Sequence, residues 1–149
     1  MIELIDPIIS SNKVDISTGL NVHYLEASKN NNNQPIALLL HGFPELSFSW
    51  RKIIPILAYE GFRVIAPDMR GYGLTSGGTK KYHTNISEYR LLNLTTDILS
   101  LISALKINKV DLLVGHDAGS SVAGTSALIR PDIFKSVVMM SAPFTGAPN

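Results

Sequence analysis

The segment that most constrains this 149-residue chain is the short run of residues 114–120, Val-Gly-His-Asp-Ala-Gly-Ser. It follows the apolar stretch 110–114, which is typical of a buried strand, and it opens a segment with the pattern of a helix. A chain that passes from strand to helix so abruptly leaves no room for side chains beside the turn, which explains Gly115 and Gly119. This geometry predicts that Asp117 is exposed at the tip of the turn.

Hydrophobic patterns along the rest of the chain predict alternating strands and helices. An antiparallel hairpin is predicted over residues 14–18 and 20–27 around Gly19, followed by a polar linker over residues 30–34. Further strands are predicted at residues 36–40, 64–66, 110–114 and 136–140. Helices are predicted at residues 50–58 (kinked or shortened by Pro55 and capped by Gly61), 91–105, and from Asp117 to about Arg130. This order indicates a mostly parallel sheet with helices on both faces.

Composition restricts the class of protein. With 45% hydrophobic and 17% charged residues the chain is typical of one globular domain, and its net charge of +1 gives no basis for binding nucleic acid or an anionic membrane. The chain has no cysteine, so disulfides and thiolate metal sites are excluded. Neither a secretory signal nor an apolar run long enough for a membrane span is evident, and we expect a cytoplasmic protein.

Two further motifs accompany the turn. They are His-Gly-Phe-Pro at residues 41–44 and Pro-Asp-Met-Arg-Gly-Tyr-Gly at residues 67–73. Together with residues 115–119, whose spacing is that of a nucleophile elbow, they resemble the α/β-hydrolase superfamily, and its soluble epoxide hydrolase branch in particular. Residues 130–134 and 141–144 carry the same likeness, which covers nearly the whole chain from about Asn21 onward.

The resemblance implies a truncated α/β-hydrolase fold. Members of this family continue past a strand like that at residues 137–140 into a helical lid with catalytic tyrosines, and then into two strands that carry the acid and the histidine of the triad. We therefore expect residues 1–149 to form the N-terminal part of a single α/β-hydrolase core domain, without the lid and the last strands. An incomplete chain is the interpretation that the sequence favours for the end at Asn149.

Asp117 determines the chemistry that the turn could perform. A serine that attacks a saturated carbon remains as a stable ether, whereas an aspartate forms an ester that water can cleave. Asp117 is therefore the candidate nucleophile toward a small-molecule epoxide, which would become a vicinal diol through an alkyl-enzyme ester. Hydrolysis places an oxyanion on the Asp117 carboxyl carbon, so the backbone N–H groups of Ala118 and, by resemblance, Phe43 are the candidate oxyanion-hole donors. We expect neither a metal nor a cofactor.

Two other functions remain open. Dehalogenases of the superfamily share the aspartate but generally follow it with tryptophan or arginine, whereas this chain has Ala118, whose side chain has no donor. The second alternative is a non-catalytic interaction module or short isoform, because an unpaired last strand at residues 136–140 would favour self-association. As an epoxide hydrolase the truncated chain is expected to turn over negligibly, since it lacks the catalytic histidine of the family.

The remaining polar and aromatic side chains have simpler explanations. Four are expected to shape the backbone of their loops: His41, His116, Asp68 and Arg70. Two histidines are expected to be solvated: His23 in the hairpin and His83 in a polar loop. Trp50 and the tyrosines are expected to pack or to lie in loops, and the glycines of residues 71–77 lack the spacing of a dinucleotide-binding fingerprint.

Overall fold

The computed structural model describes residues 5–29, 33–78 and 86–142 of the chain. Within these ranges, six strands form one sheet: β1 (Ile9–Asp15), β2 (Asn21–Ala27), β3 (Ile36–Leu40), β4 (Arg63–Pro67), β5 (Leu112–His116) and β6 (Val137–Met140). The α-helices are α1 (Ile53–Tyr59), α2 (Leu91–Ala104) and α3 (Ala118–Ile129), and short 3-10 helices cover Ser47–Trp50 and Ile86–Tyr89.

The sheet joins an N-terminal hairpin to parallel strands, in the order β1-β2-β4-β3-β5-β6. β1 pairs antiparallel with β2, and β2 pairs antiparallel with β4. The pairs β4 with β3, β3 with β5, and β5 with β6 are all parallel. This topology confirms the predicted hairpin followed by a mostly parallel sheet.

Helices cover both faces of the sheet, as the continuous apolar pattern of β3 predicts. Leu39 belongs to the same buried cluster as Ile54 of α1, whereas Leu38 belongs to a second cluster with Ile98 of α2 and Val122 of α3. All five side chains are 3% exposed or less. Burying each stabilises the fold by about 1.5–3 kcal/mol. The two clusters therefore fix β3 and β5 within the sheet, and the residues that follow these two strands lie side by side.

Three elements begin at least two residues away from the sequence-based prediction. β1 begins at Ile9 rather than at residue 14, because this edge strand has no fully buried positions that would mark it in the sequence. β5 begins at Leu112 rather than at residue 110, because Val110 instead forms an isolated bridge with Phe134. The helix predicted from Trp50 is split into a 3-10 turn and α1, with Pro55 in the first turn of α1, where a missing N–H costs nothing.

His23 is buried rather than solvated, and the sequence-based expectation for it is wrong. Its side chain lies beside the loop that follows β4, where Nδ1 is 2.7 Å from Oδ2 of Asp68, and the residue is only 5% exposed. The reason is the β2–β4 pairing, in which the Asp68 N–H donates to the His23 carbonyl at 2.9 Å. The sequence indicates the hairpin but not its pairing with β4. His83 lies outside the described residues.

Asp68 and Arg70 hold the loop after β4, as expected. Asp68 accepts hydrogen bonds from the N–H groups of Ser47 at 2.8 Å and Leu74 at 3.0 Å. Arg70 binds the carboxylate of Asp97 in α2 through two nitrogens, each at 2.7 Å. These bonds connect the loop after β4 to the 3-10 helix at Ser47–Trp50 and to α2.

Asp68→Asn is expected to lower the free energy of unfolding by about 2–4 kcal/mol at neutral pH, because an amide would turn an N–H group toward a backbone N–H or His23. Burial raises the pKa of Asp68, but the hydrogen bonds from Leu74 and Ser47 outweigh it, and the pKa is lowered overall. The stabilisation is therefore present above the ordinary aspartate pKa and is lost as the pH falls through the lowered value. Urea unfolding at several acidic pH values should show that the free energy of unfolding depends less on pH in the variant than in the unsubstituted chain. Equal dependence on pH in the two proteins would contradict this account.

Candidate active site

A single residue, Asp117, separates β5 from α3. Its backbone lies at φ +52° and ψ −120°, a region that residues other than glycine rarely adopt. The turn is held from both sides, since the Asp117 N–H donates to the Met140 carbonyl and the Ser120 N–H donates to the Asp117 carbonyl, each at 2.9 Å. A Cβ on Gly115 would lie 2.4 Å from the Gly119 carbonyl oxygen. The predicted strand, tight turn and helix are therefore present.

The carboxylate of Asp117 lies against the loop after β3 and is partly exposed. Its Oδ1 accepts a hydrogen bond from the Phe43 N–H at 2.9 Å, and the N–H of the next residue, Ala118, also favours the charged form of this carboxylate. The Phe43 bond first, and the Ala118 bond second, lower the pKa of Asp117, so the group is ionised at neutral pH. The structure thus brings together the three residues that the sequence analysis singled out.

The close approach of the two segments depends on Gly42. A Cβ at this position would lie 2.6 Å from the Cβ of Asp117 and 3.0 Å from the His116 carbonyl oxygen. Any other residue would therefore push the loop, and with it the Phe43 N–H, away from the carboxylate.

His41 is a structural residue of this loop. It is fully buried, its Nδ1 is 2.9 Å from the Gly42 carbonyl oxygen, and its Nε2 accepts the Met69 N–H at 3.0 Å. Burial lowers the pKa of His41, which favours the neutral ring. Tyr72 packs edge-on against it, with ring centroids 4.9 Å apart. With both nitrogens engaged, His41 holds the loop after β3 to the loop after β4.

Glu45 is a member of the site that the sequence analysis missed. Its Oε2 lies 2.8 Å from His116 Nδ1 and accepts the Gly42 N–H at 3.1 Å. The bond to His116 is the largest cause of the lowered pKa of Glu45. A single carboxylate thus links the loop after β3 to the residue before Asp117. In the sequence, the one indication of this role is that Glu45 directly follows the His-Gly-Phe-Pro motif. Its partner His116 lies 71 positions away and cannot be identified from that motif.

Glu45→Gln is expected to loosen the Gly42–Phe43 segment. A neutral amide replaces a charge-assisted bond with a weaker one, so hydrogen exchange of the Gly42 and Phe43 N–H groups should accelerate about tenfold. Global stability should change little, because the paired side chains of His116 and Glu45 are 34% and 32% exposed. Glu60→Gln, at an exposed position after α1, is the matched control. Unchanged exchange at Gly42 and Phe43 would show that Glu45 does not hold the loop.

The described residues lack two other kinds of functional feature. No cluster of three or more His, Asp or Glu side chains there is placed to bind a metal ion. In the same part of the chain, none of the helices has both the length and the apolar character needed to cross a membrane.

A protein-family model described as "alpha/beta hydrolase fold" matches residues 35–148. This chain belongs to the α/β hydrolase fold family. The match includes the loop after β3, the turn at Asp117 and the sheet between them, and it confirms the resemblance drawn from the three motifs.

Named relatives of this α/β hydrolase include several epoxide hydrolases. An epoxide hydrolase of Caballeronia sordidicola is 43% identical over 131 residues, which cover 87% of this chain and 37% of the relative. Epoxide hydrolase B of Mycobacterium tuberculosis is 40% identical over 128 residues, covering 86% of this chain and 34% of the relative. The chain thus spans little more than a third of the length of these relatives.

Solved structures of epoxide hydrolases also resemble this chain. The crystal structure of an epoxide hydrolase from Vigna radiata superposes with a TM-score of 0.82 at 38% identity, and covers 95% of this chain and 43% of that one. The structure of potato epoxide hydrolase I superposes with a TM-score of 0.83 at 37% identity, covering 94% of this chain and 42% of that one. The fold is therefore that of part of an α/β hydrolase.

Proposed function

We propose that this α/β hydrolase carries the nucleophile and the oxyanion-hole donors of an epoxide-opening site. The observation that carries the proposal is the ionised Asp117 carboxylate at the tip of the turn, hydrogen-bonded by the Phe43 N–H and next to the Ala118 N–H. The similarity to proteins named epoxide hydrolase supports the choice of substrate class. Small-molecule epoxides are therefore the proposed substrates.

The first chemical step forms an ester. A carboxylate oxygen of Asp117 attacks an epoxide carbon from the side opposite the breaking C–O bond, and the released alkoxide takes a proton from an acid or from water. The bonds from Phe43 and Ala118 keep Asp117 ionised and fix the carboxylate at the strained turn, so little reorganisation precedes attack.

The second step cleaves the ester. Water attacks the carboxyl carbon of Asp117, the electron pair moves to the carbonyl oxygen, and the Phe43 and Ala118 N–H groups stabilise the oxyanion. The carbon–oxygen bond to the alkyl group's oxygen then breaks, and this oxygen takes the proton that a base removed from the attacking water, which releases the diol. Removing one such donor typically slows catalysis on the order of 100- to 1,000-fold.

The second step also requires a base. His41 has both ring nitrogens engaged, and His23 is bonded to Ser11 and Asp68 far along the sheet, so neither serves Asp117. Nδ1 of His116 is held by Glu45. We therefore propose that residues 1–149 undergo one slow alkylation at Asp117 with negligible turnover.

Intact mass spectrometry after incubation with styrene oxide tests this proposal. We expect one adduct per chain, mapped to Asp117, and slow hydrolysis in ¹⁸O-labelled water that leaves the label in the Asp117 carboxylate. An adduct on another residue would overturn the role of Asp117. Repeated diol formation by this chain would overturn the requirement for a further base.

Dehalogenation is the weaker alternative for the same nucleophile. Directly after Asp117 the chain places Ala118, which is exposed and offers only its backbone N–H to a departing halide. A haloalkane of similar size should therefore alkylate Asp117 more slowly than styrene oxide, as measured by halide release.

We also propose, independently of catalysis, that the chain self-associates through β6. In the described residues β6 is the last strand of the sheet, and Val138 on it is 44% exposed. Beside it, α3 and β6 enclose an apolar groove of about 250 Å³, lined by Gly124, Ala127, Leu128, Val137 and Met139. An open edge strand with apolar side chains pairs readily with a second copy.

Light scattering after size-exclusion chromatography tests the association. The chain is expected to form dimers in a concentration-dependent manner, and Val138→Lys is expected to yield monomers because a charge on the edge strand opposes pairing. Ile56→Lys, at a still more exposed apolar position on α1 (58%), is the control and should leave the dimer intact. A monomer at all concentrations would contradict the proposal.

A further inference from the structure

A second chain of polar side chains lies at the N-terminal hairpin, away from Asp117. Ser11 of β1, His23 of β2 and Asp68 after β4 are hydrogen-bonded in that order. The Ser11 Oγ is 2.8 Å from His23 Nε2, and His23 Nδ1 is 2.7 Å from Asp68 Oδ2. A hydroxyl, an imidazole and a carboxylate in this order are the arrangement by which proteins activate serine for acyl transfer.

The surroundings of Asp68 decide which nitrogen of His23 carries the proton. Asp68 is 2% exposed and accepts the N–H groups of Ser47 and Leu74, which keeps it in the carboxylate form. A carboxylate only accepts, so His23 donates from Nδ1, and in the neutral ring Nε2 is then the nitrogen whose lone pair faces the Ser11 hydroxyl. The tautomer is therefore that of a general base aimed at Ser11.

The imidazole is also held in place by its own backbone. The His23 N–H donates to Oγ1 of Thr75 at 3.0 Å, and its carbonyl accepts the Asp68 N–H at 2.9 Å. The ring is buried, whereas Ser11 is exposed. A rigid buried base thus meets a hydroxyl that a reagent can reach from solvent.

The backbone of Ser11 supplies a donor as well. The Ile16 N–H donates to the Leu20 carbonyl, and alternate pairs along the hairpin are therefore hydrogen-bonded. Ser11 lies opposite Leu25, and along β1 it is an odd number of residues from Ile16. The Ser11–Leu25 pair is therefore a non-hydrogen-bonded one, and the Ser11 N–H points away from β2. Because β1 is the edge of the described sheet, this N–H faces the open side, where it can bond a developing oxyanion.

We propose that Ser11 is a second nucleophile of this protein, which takes an acyl group from activated carboxylic esters with His23 as base and Asp68 orienting the imidazole. The Ser11 oxygen bonds to the ester carbonyl carbon while its proton moves to His23 Nε2. The tetrahedral intermediate then expels the alcohol or phenol, which leaves with that proton. The products are acyl-Ser11 and free alcohol or phenol, with no change of oxidation state.

The full chain treated with 4-nitrophenyl acetate tests the proposal. We expect a burst of nitrophenolate equal to one acetyl group per chain, with the acetyl group mapped to Ser11. Ser11→Ala, at an exposed position that leaves the core intact, should slow the burst about 100-fold, which is the usual contribution of an activated hydroxyl and its base. Ser10→Ala is the matched control, because Ser10 is an exposed serine of the same strand whose Oγ donates to the Glu26 carbonyl and accepts from Asn12 Nδ2 rather than bonding a histidine.

Two outcomes would overturn the proposal. One is a burst of unchanged rate in Ser11→Ala, and the other is acetylation confined to amines such as Lys13, which lies opposite His23. The ester and the epoxide are separate reagents whose adducts map to different residues, so failure at Ser11 leaves the proposal for Asp117 unaffected.

Discussion

Asp117→Asn is expected to abolish alkylation by styrene oxide, with a decrease on the order of 1,000-fold or more in the rate of adduct formation. An uncharged amide is a poor nucleophile, and an amide adduct is not an ester that water readily cleaves. Asparagine matches the size of aspartate and tolerates positive φ better than most residues, so the fold should be retained. The measurement is the time course of the intact mass, with circular dichroism to verify folding.

Asp117→Gly tests the effect of the strained backbone separately from the effect of the carboxylate. Glycine adopts φ +52° and ψ −120° without a steric penalty, so this variant should melt about 2–4 °C higher than the unsubstituted chain while also failing to form the adduct. A variant that loses reactivity and gains stability would show that the strained turn serves the reaction. Adduct formation at the original rate in either variant, or a lower melting temperature in the glycine variant, would contradict this.

The elements that the sequence predicted best are those whose hydrophobic or glycine pattern lies within one continuous segment. β3 lies between helices on both faces, so its apolar run is continuous and its bounds, Ile36–Leu40, agree with the prediction. α2 is amphipathic over its full length, and Gly61, at φ +100°, ends the α1 segment as predicted. The turn at Asp117 was recognisable because two glycines flank the exposed residue, a spacing required by steric contact rather than by composition.

The contacts that the sequence did not show join distant parts of the chain. His23 was expected to be solvated because a hairpin alone exposes its polar residues, and only the pairing of β2 with β4 places Asp68 beside it. Glu45 was overlooked because its role depends on β3 and β5 being neighbours, which brings His116 within 2.8 Å. Both are hydrogen bonds between a strand residue and a loop residue far away in the sequence, and a linear pattern carries no distance information of this kind.

Gly119→Ala is expected to destabilise the fold strongly. A Cβ at this position would lie 2.5 Å from the Leu40 carbonyl oxygen and 2.6 Å from the His41 carbonyl oxygen, and both are backbone atoms that cannot rotate away. The first turn of α3 would have to move off the sheet, which disturbs the packing of Val122 against β3. We expect a loss of about 3 kcal/mol, which corresponds to a melting temperature about 6–12 °C lower.

Gly78→Ala is the control for this substitution, because the nearest atoms to its added Cβ are flexible side-chain atoms at 3.8 Å. Its stability should stay within about 0.5 kcal/mol of the unsubstituted chain. Because the same movement of α3 would carry Asp117 away from the Phe43 N–H, Gly119→Ala should also slow alkylation in whatever fraction remains folded. A Gly119→Ala variant that melts and reacts like the unsubstituted chain would show that α3 does not approach β3 this closely. In that case the carboxylate is not positioned by the contact on which the proposed reaction depends.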